Sequence, residues 1–380
     1  MDNLKKSKLL VVDDSAFMRK LISDFFADHL QIEVVGSARN GKDAIKKIQQ
    51  LKPDVVTMDV EMPEMNGLDA LKEIMQVCPV PVVMLSSTTQ KGTENTLASM
   101  EFGAVDFVAK PSGTISLDLN KIQDELVHKV IEASKIPIAK LKKPIHNPPA
   151  LTKTIVQPIK KDRPTGIQMV TKPFVPMNNP SKKVEWNKTS KKIILIGTST
   201  GGPRALQEVI TKIPANVDAP ILIVQHMPAG FTKSLATRLD QLSEIHVKEA
   251  KQGDILQKGT AYIAPGGYHL KLRKVGSTYA VVLDQTEPPR SGHRPSVDVM
   301  FEDVSQYPEF DKIAVIMTGM GYDGSKGLVS LKKTGNVIAI AESAETCIVY
   351  GMPKAAVETQ LVDEVADVDN IAQIIMKYMP

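Results

Sequence analysis

With 380 residues, 42% hydrophobic and 24% charged, the chain is long enough for two domains with full cores, since single domains cluster near ~100–150 residues. Aromatics make up 4% and cysteines number two, Cys78 and Cys347, which argues against a base-stacking platform, a disulfide framework and a cysteine metal site. The net charge of +4 is uneven: residues 137–190 carry 11 Lys/Arg against 2 Asp/Glu, leaving the remainder at −5.

In chain order, the apolar run at 9–12 ends at Asp13-Asp14. It is too short for a signal-peptide core and is blocked by two carboxylates. No stretch approaches the ~20 apolar residues that span a bilayer, so a soluble cytoplasmic protein without membrane insertion is expected. Strands are predicted at 9–13, 33–38, 55–59, 82–86 and 106–110. One intervening helix sets Phe17, Leu21 and Phe25 on one face, and a final helix repeats the spacing at Ile122, Leu126 and Val130. Five strands alternating with helices predict a doubly wound parallel α/β sheet of (βα)5 type.

Residues 137–190 hold 9 of the 25 prolines among scattered lysines, the composition of an extended tether with polyproline II character. Its charge suits acidic partners or nucleic acid, though a solubilising tether is the simpler reading. As a coil its ends would lie roughly 40 Å apart, so docking of the flanking domains must come from their own interface. The alternation resumes with strands at 193–196, 221–224, 314–317 and 337–340, and a helix carrying Leu206, Val209, Ile210 and Ile213 on one stripe. Segments 269–274 and 279–284 flank Gly276-Ser277 as an antiparallel hairpin. The second domain is therefore expected to be α/β, parallel at its centre with an antiparallel edge.

Ligands of open parallel sheets bind beyond the carboxyl ends of the strands. In the first domain those ends carry Asp13-Asp14, Asp59, Ser86-Ser87 and Lys110-Pro111. Neighbouring carboxylates repel unless a cation binds, and hard oxygen donors suit Mg²⁺. With Asp14 and Asp59 on the metal, Asp59 can attack phosphorus, while Mg²⁺ and Lys110 neutralise phosphoryl charge. Each aspartate taken singly is more ordinarily a helix cap or turn former. Together, Val-Asp-Asp-Ser, Met-Asp-Val-Glu-Met-Pro and Ala-Lys-Pro, in that order, resemble a response-regulator receiver domain over 7–126. The resemblance makes Asp59 the phosphorylation site, Ser86 the hydroxyl that follows the phosphoryl group, Phe107 the switch aromatic, and the Glu61 carbonyl a third Mg²⁺ ligand.

In the second domain Gly197-Thr198-Ser199-Thr200-Gly201-Gly202 stands between strand and helix and fits G-x-S-x-G, a turn that exposes a serine hydroxyl. The same turn could bind phosphate at a helix N-terminus. His226 follows the next strand on the same sheet edge and can act as base; His269 and His293, in polar loops, are competitors. Asp323, in a loop with three glycines after the strand at 314–317, can hold the imidazole, with Asp298 the alternative. The order Ser199, His226, Asp323 differs from that of α/β-hydrolases.

Gly-Thr-Ser-Thr-Gly-Gly, Gln-His-Met-Pro, Tyr-Ile-Ala-Pro-Gly, His-Arg-Pro-Ser-Val-Asp and Thr-Gly-Met-Gly-Tyr-Asp-Gly together resemble the CheB-type methylesterase domain over 191–380, with 127–190 as helix end and linker. That resemblance implies a Ser199–His226–Asp323 triad, with Thr200 and the Met320 N–H holding the histidine and the oxyanion. It further implies demethylation of glutamate γ-methyl esters, and deamidation of glutamines, on the cytoplasmic domains of chemoreceptors. A chemotaxis histidine kinase would be the phosphodonor, the ester chemistry would need no cofactor, and the unphosphorylated receiver would cover the active site. Three rivals remain: a response regulator with a nucleic-acid-binding output, a phosphate-binding module on the glycine-rich turn, and a non-catalytic receptor-binding scaffold. The first lacks a helix-turn-helix pattern and the second lacks the lysine of a P-loop, so no nucleic-acid partner is expected.

Overall fold

The computed structural model describes residues 5–87, 89–110, 116–141, 186 and 190–379. In the first half the elements are β1 (Ser7–Val12), α1 (Ala16–Phe25), β2 (Ile32–Ala38), α2 (Gly41–Leu51), β3 (Val55–Asp59), α3 (Gly67–Val77), β4 (Val82–Ser86), α4 (Gln90–Glu101), β5 (Asp106–Ala109) and α5 (Ser116–Ser134). The strands form one parallel sheet in the order β2-β1-β3-β4-β5. β3 and β4 are buried at every position, as strands covered on both faces by helices must be. Local chemistry starts the helices: Ser15, Asn40, Asn66 and Thr89 each accept a hydrogen bond from the amide three residues on.

The face predicted for α1 is displaced. Phe17 is 70% exposed, and Ile22 and Phe26 carry the packing instead. One residue turns a helix by about 100°, so a stripe drawn one position early points its first aromatic into solvent. The stripe of α5 packs as expected, with Leu126 and Val130 fully buried.

A short helix, α6 (Ile138–Leu141), occupies the start of the predicted tether. Leu141 is buried there, and Lys140 Nζ donates to the Ala344 and Cys347 carbonyls at 2.7 and 2.8 Å. That corrects the tether's first turn; most of its remaining residues lie outside the described ones. The second half comprises β6 (Lys191–Thr198), α7 (Gly202–Ile210), β7 (Ile221–Gln225), α8 (Phe231–Leu242), β8 (His246–Glu249), β9 (Thr260–Ile263), β10 (His269–Val275), β11 (Thr278–Asp284), α9 (Val297–Ser305), β12 (Phe310–Ile316), α10 (Ser325–Lys332), β13 (Val337–Glu342), α11 (Met352–Glu358), β14 (Glu364–Ala366) and α12 (Val368–Lys377).

Seven strands form a second sheet in the order β14-β13-β12-β6-β7-β9-β8, parallel at every pairing. The predicted antiparallel edge is not there: β10 and β11 pair as a hairpin that forms its own two-stranded sheet. The edge position is filled by β8, a four-residue strand too short for alternation to reveal. The strand order reverses between β1 and β3 in the first sheet and between β6 and β12 in the second, where β9 also lies inside β8 at one edge.

The two halves meet directly. Phe107 of β5 stacks on Phe231 at the start of α8, with centroids 4.5 Å apart. Arg238 grips Glu101 through two bonds of 2.8 and 3.0 Å.

Candidate active site

Beyond β1 and β3, Asp13, Asp14 and Asp59 offer carboxylate oxygens within 4.8 Å of one another. Lys110 Nζ, at the end of β5, lies 2.9 Å from Asp13 and 2.7 Å from Asp59. Burial, reinforced by the Asp13 charge, outweighs Lys110 and pushes the Asp59 carboxyl up to about 6. Three clustered carboxylates around one lysine fit a divalent cation of the Mg²⁺ type, held by Asp14 and Asp59. Gly67 makes the pocket possible by proximity, since a Cβ there would stand 2.0 Å from the Asp59 carbonyl oxygen. Ser86 is buried at the strand end, but its hydroxyl donates to the Ser87 and Gly92 carbonyls and receives Thr96 Oγ1 at 2.5 Å. The Glu61 amide bonds Asp59 Oδ1 at 3.3 Å.

The second switch point assembles the serine constellation. The Ser199 amide donates to the Thr318 carbonyl at 3.0 Å, tying the turn after β6 to the loop after β12. Gln225, the last residue of β7, clamps that turn: its Nε2 donates to the Ser199 and His226 carbonyls at 3.0 and 3.2 Å. A Cβ on Gly319 would come within 2.8 Å of Ser199 Cβ, so glycine lets the β12 loop close on the serine. His226 Nε2 stands 2.8 Å from Asp323 Oδ2, both side chains being almost wholly buried. Among the described residues His226 Nδ1 has no hydrogen-bond partner, the Ser199 hydroxyl included, and both side chains line one cavity.

Asp323 is held as an anion by more than its histidine. It accepts bonds from Ser296 Oγ and from the Val297 and Asp298 amides at the N-terminus of α9, at 2.7 to 2.9 Å. Burial works to raise its pKa, but the His226 bond and these amides outweigh it and hold the carboxyl well below the usual range. Asp298, the alternative acid, accepts from the Gly324 and Gly327 amides at 2.9 and 2.7 Å and so fixes the Asp323 loop. Burial and the Asp323 charge push it up to about 6.

His269 is buried at the hairpin, with Nε2 3.1 Å from the Pro288 carbonyl oxygen. His293 joins the site, its ring 3.9 Å from that of His226.

A cavity of about 800 Å³ opens over Ser199, His226, Met320 and Asp323, and its far wall is helix α5, with Asp124, Glu125, His128 and Lys129. Thr200 differs from expectation: its hydroxyl donates to Asp106 Oδ2 of β5 at 2.5 Å instead of serving His226. No local pattern could reveal that pairing, because 94 residues separate its partners. Gln225 had a weak signal, standing beside the histidine at a strand end.

Fold and site together define a receiver-headed α/β protein with a Ser–His–Asp constellation at the switch point of its second sheet. A CheB methylesterase family model matches residues 194–375, and a response regulator receiver domain model matches 9–120. The chain is 52% identical over 374 residues to the protein-glutamate methylesterase/protein-glutamine glutaminase of Geobacillus kaustophilus, covering 98% of this chain and 99% of that one. It is 50% identical to the protein of the same name from Bacillus subtilis, covering 96% of each. The crystal structure of the Thermotoga maritima CheB methylesterase catalytic domain is 44% identical, covers 50% of this chain and 98% of that one, and superposes with a TM-score of 0.48. The chain belongs to the CheB methylesterase family, with a response regulator receiver domain ahead of the methylesterase domain.

Proposed function

We propose that this chain is a phosphorylation-regulated protein-glutamate methylesterase of chemotactic adaptation, acting on the cytoplasmic domains of methylated chemoreceptors and deamidating receptor glutamines by the same acyl transfer. The observation that carries the reading is the buried His226–Asp323 pair beside Ser199 in a chain half identical to methylesterase/glutaminases along almost its whole length. Residues 7–126 form the regulatory domain, 191–380 the catalytic one, with 127–190 joining them.

Ser199 Oγ attacks the ester carbonyl carbon while its proton passes to His226 Nδ1. Asp323 stabilises the imidazolium through Nε2–H, and the Met320 amide donates to the oxyanion. Collapse breaks the C–OCH₃ bond, the imidazolium protonates the leaving oxygen, and methanol departs. Water then attacks the acyl-serine through the same base, leaving a glutamate carboxylate and free Ser199. With glutamine the leaving group is ammonia.

Asp59 takes the phosphoryl group from a chemotaxis histidine kinase. Asp14 and Asp59 would hold a divalent cation, which would supply charge neutralisation there, and Lys110 would pair with the phosphoryl oxygens. The unphosphorylated receiver covers the site: α5 walls the cavity and Asp106 engages Thr200 beside the nucleophile. The protein works in the cytoplasm; no helix among the described residues is long and apolar enough to cross a membrane.

Methanol release from methylated receptor membranes tests the reading, comparing wild type, Ser199→Ala and Asp59→Ala with and without a small phosphodonor and Mg²⁺. Release should vanish in Ser199→Ala, and only its phosphodonor stimulation should vanish in Asp59→Ala. No release from phosphorylated wild type overturns the assignment.

A further inference from the structure

His293 lies flat over the candidate base. Its ring and that of His226 are 3.9 Å apart between centroids and inclined by 8°, a face-to-face contact of a partly buried ring on a buried one. The segment that delivers it is braced. The amide of each of Arg290 and His293 donates to the other's carbonyl, at 3.0 and 2.9 Å. Between them Ser291 and Gly292 have φ of 52° and 84°, the double left-handed turn that closes a tight hairpin. On one side Arg290 is held by Glu287 and Glu302, and on the other Arg294 Nη1 donates to the Gln285 carbonyl at 2.7 Å. A turn with strained serine backbone and two anchored arginines is a rigid arm, and its tip is an imidazole.

His226 needs such an arm. Its ring is fixed at one edge by Asp323 and carries at the other a nitrogen with no partner among the described residues. A single hydrogen bond leaves a ring free to tilt about that bond, and tilting moves Nδ1 off the serine. A neighbour against the ring face removes that freedom without competing for either nitrogen.

Resting on the esterase reading above, we infer that His293 is a positioning residue for the general base, an uncharged aromatic plate that holds the His226 ring in the plane joining Asp323 to Ser199. Its own titration agrees with that role. Burial first, then the neighbouring His226, with Lys129 and His128 of α5 adding to them against the opposing Asp323, push its pKa down to about 3. The plate is therefore neutral wherever the enzyme works. When His226 takes the serine proton, the imidazolium lies beneath a π face and not beside a second cation.

The test uses the full chain and compares His293→Ala, His293→Gln and His293→Phe, each checked for an unchanged thermal midpoint. Two rates are read as functions of pH: kcat and KM for methanol release, and the second-order labelling of Ser199 by a fluorophosphonate, which needs the base but no methyl ester. Alanine and glutamine should lower kcat and the labelling rate by about 10- to 100-fold with KM unchanged. Phenylalanine should restore both to within about threefold of wild type, with the pH profile retained. If phenylalanine is as slow as alanine, His293 carries protons or hydrogen bonds and the plate is overturned. Loss confined to KM overturns it too, making His293 a substrate contact. Should wild type release no methanol while labelling follows the predicted order, the substrate assignment falls and the role of His293 stands.

Discussion

Asp59 and Asp323 occupy equivalent places, the carboxyl edge of a parallel sheet at the point where strand order reverses, yet the fold treats them oppositely. Asp59 is buried beside Asp13, and its carboxyl rises to about 6 despite Lys110. Asp323 is as deeply buried but faces the amides opening α9 and the His226 ring, and its carboxyl is driven down. Burial alone raises a carboxyl pKa; what faces the carboxylate decides the outcome. A site that must recruit a cation keeps its negative charge under-compensated. A site that must hold an imidazolium has its charge compensated in advance by backbone dipoles.

The largest expected effect breaks the compensated side. Asp323→Asn should lower kcat for methanol release by about 10³–10⁴-fold, because the amide leaves the imidazole in the wrong tautomer and cannot balance its charge. A loss below tenfold would show that Asp323 is only a cap for α9.

On the under-compensated side the sign is reversed. An aspartate whose pKa rises on folding contributes stability that is complete at low pH and lost as pH climbs from about 4 through about 6. In metal-free protein at pH 7.5, Asp59→Asn should therefore stabilise the fold, by up to about 3 kcal/mol in denaturant titrations. The gain should disappear below pH 4. Wild-type labelling by a small phosphodonor at limiting Mg²⁺ should fall as pH drops through about 6, and a flat profile would refute the raised carboxyl.

The contact between the two sites gives a smaller effect. Asp106→Asn weakens the bond from Thr200 but keeps an acceptor at that place, so basal methanol release without phosphodonor should rise about 2- to 10-fold. Unchanged basal activity would mean that α5, by walling the cavity, restrains the enzyme alone. The smallest effect belongs to the rim of the interface. Arg238→Ala removes a partly exposed ion pair worth about 1 kcal/mol or less, and basal release should stay within about threefold of wild type.

Much of this protein was legible as a line of residues. Both sheets announced themselves in β-branched runs, and the residues just past those runs include Asp13, Asp14, Asp59, Ser199 and His226, with Asp323 in the glycine-rich loop that follows another. That works because a parallel strand buried on both faces must be continuously apolar, so its polar terminus marks the sheet edge where ligands bind. The receiver's carboxylate pocket needed no more than that.

Other features had no local signature. Short strands such as β8 and β14, of four and three residues, show too little periodicity to separate from loops. The antiparallel hairpin was visible, but whether it extends the main sheet or stands apart depends on hydrogen bonding to distant strands. The rotation of α1 turned on one residue of phase, decided by what the helix packs against. Of three candidate histidines, two converge, one bonded to Asp323 and one stacked upon it, and only proximity in space separates those roles.

The sequence by itself determined the layer architecture, the sheet edges and the chemical types gathered there, because these follow from burial and backbone hydrogen bonding along short segments. Tertiary structure alone decided which carboxylate is raised and which is lowered, which imidazole bonds Asp323, and that Asp106 reaches Thr200. Those outcomes depend on charges, dipoles and ring faces brought within a few ångströms from positions far apart in the chain. Electrostatic free energy is set by that final distance and by the solvent excluded around it, and neither is written in local residue order.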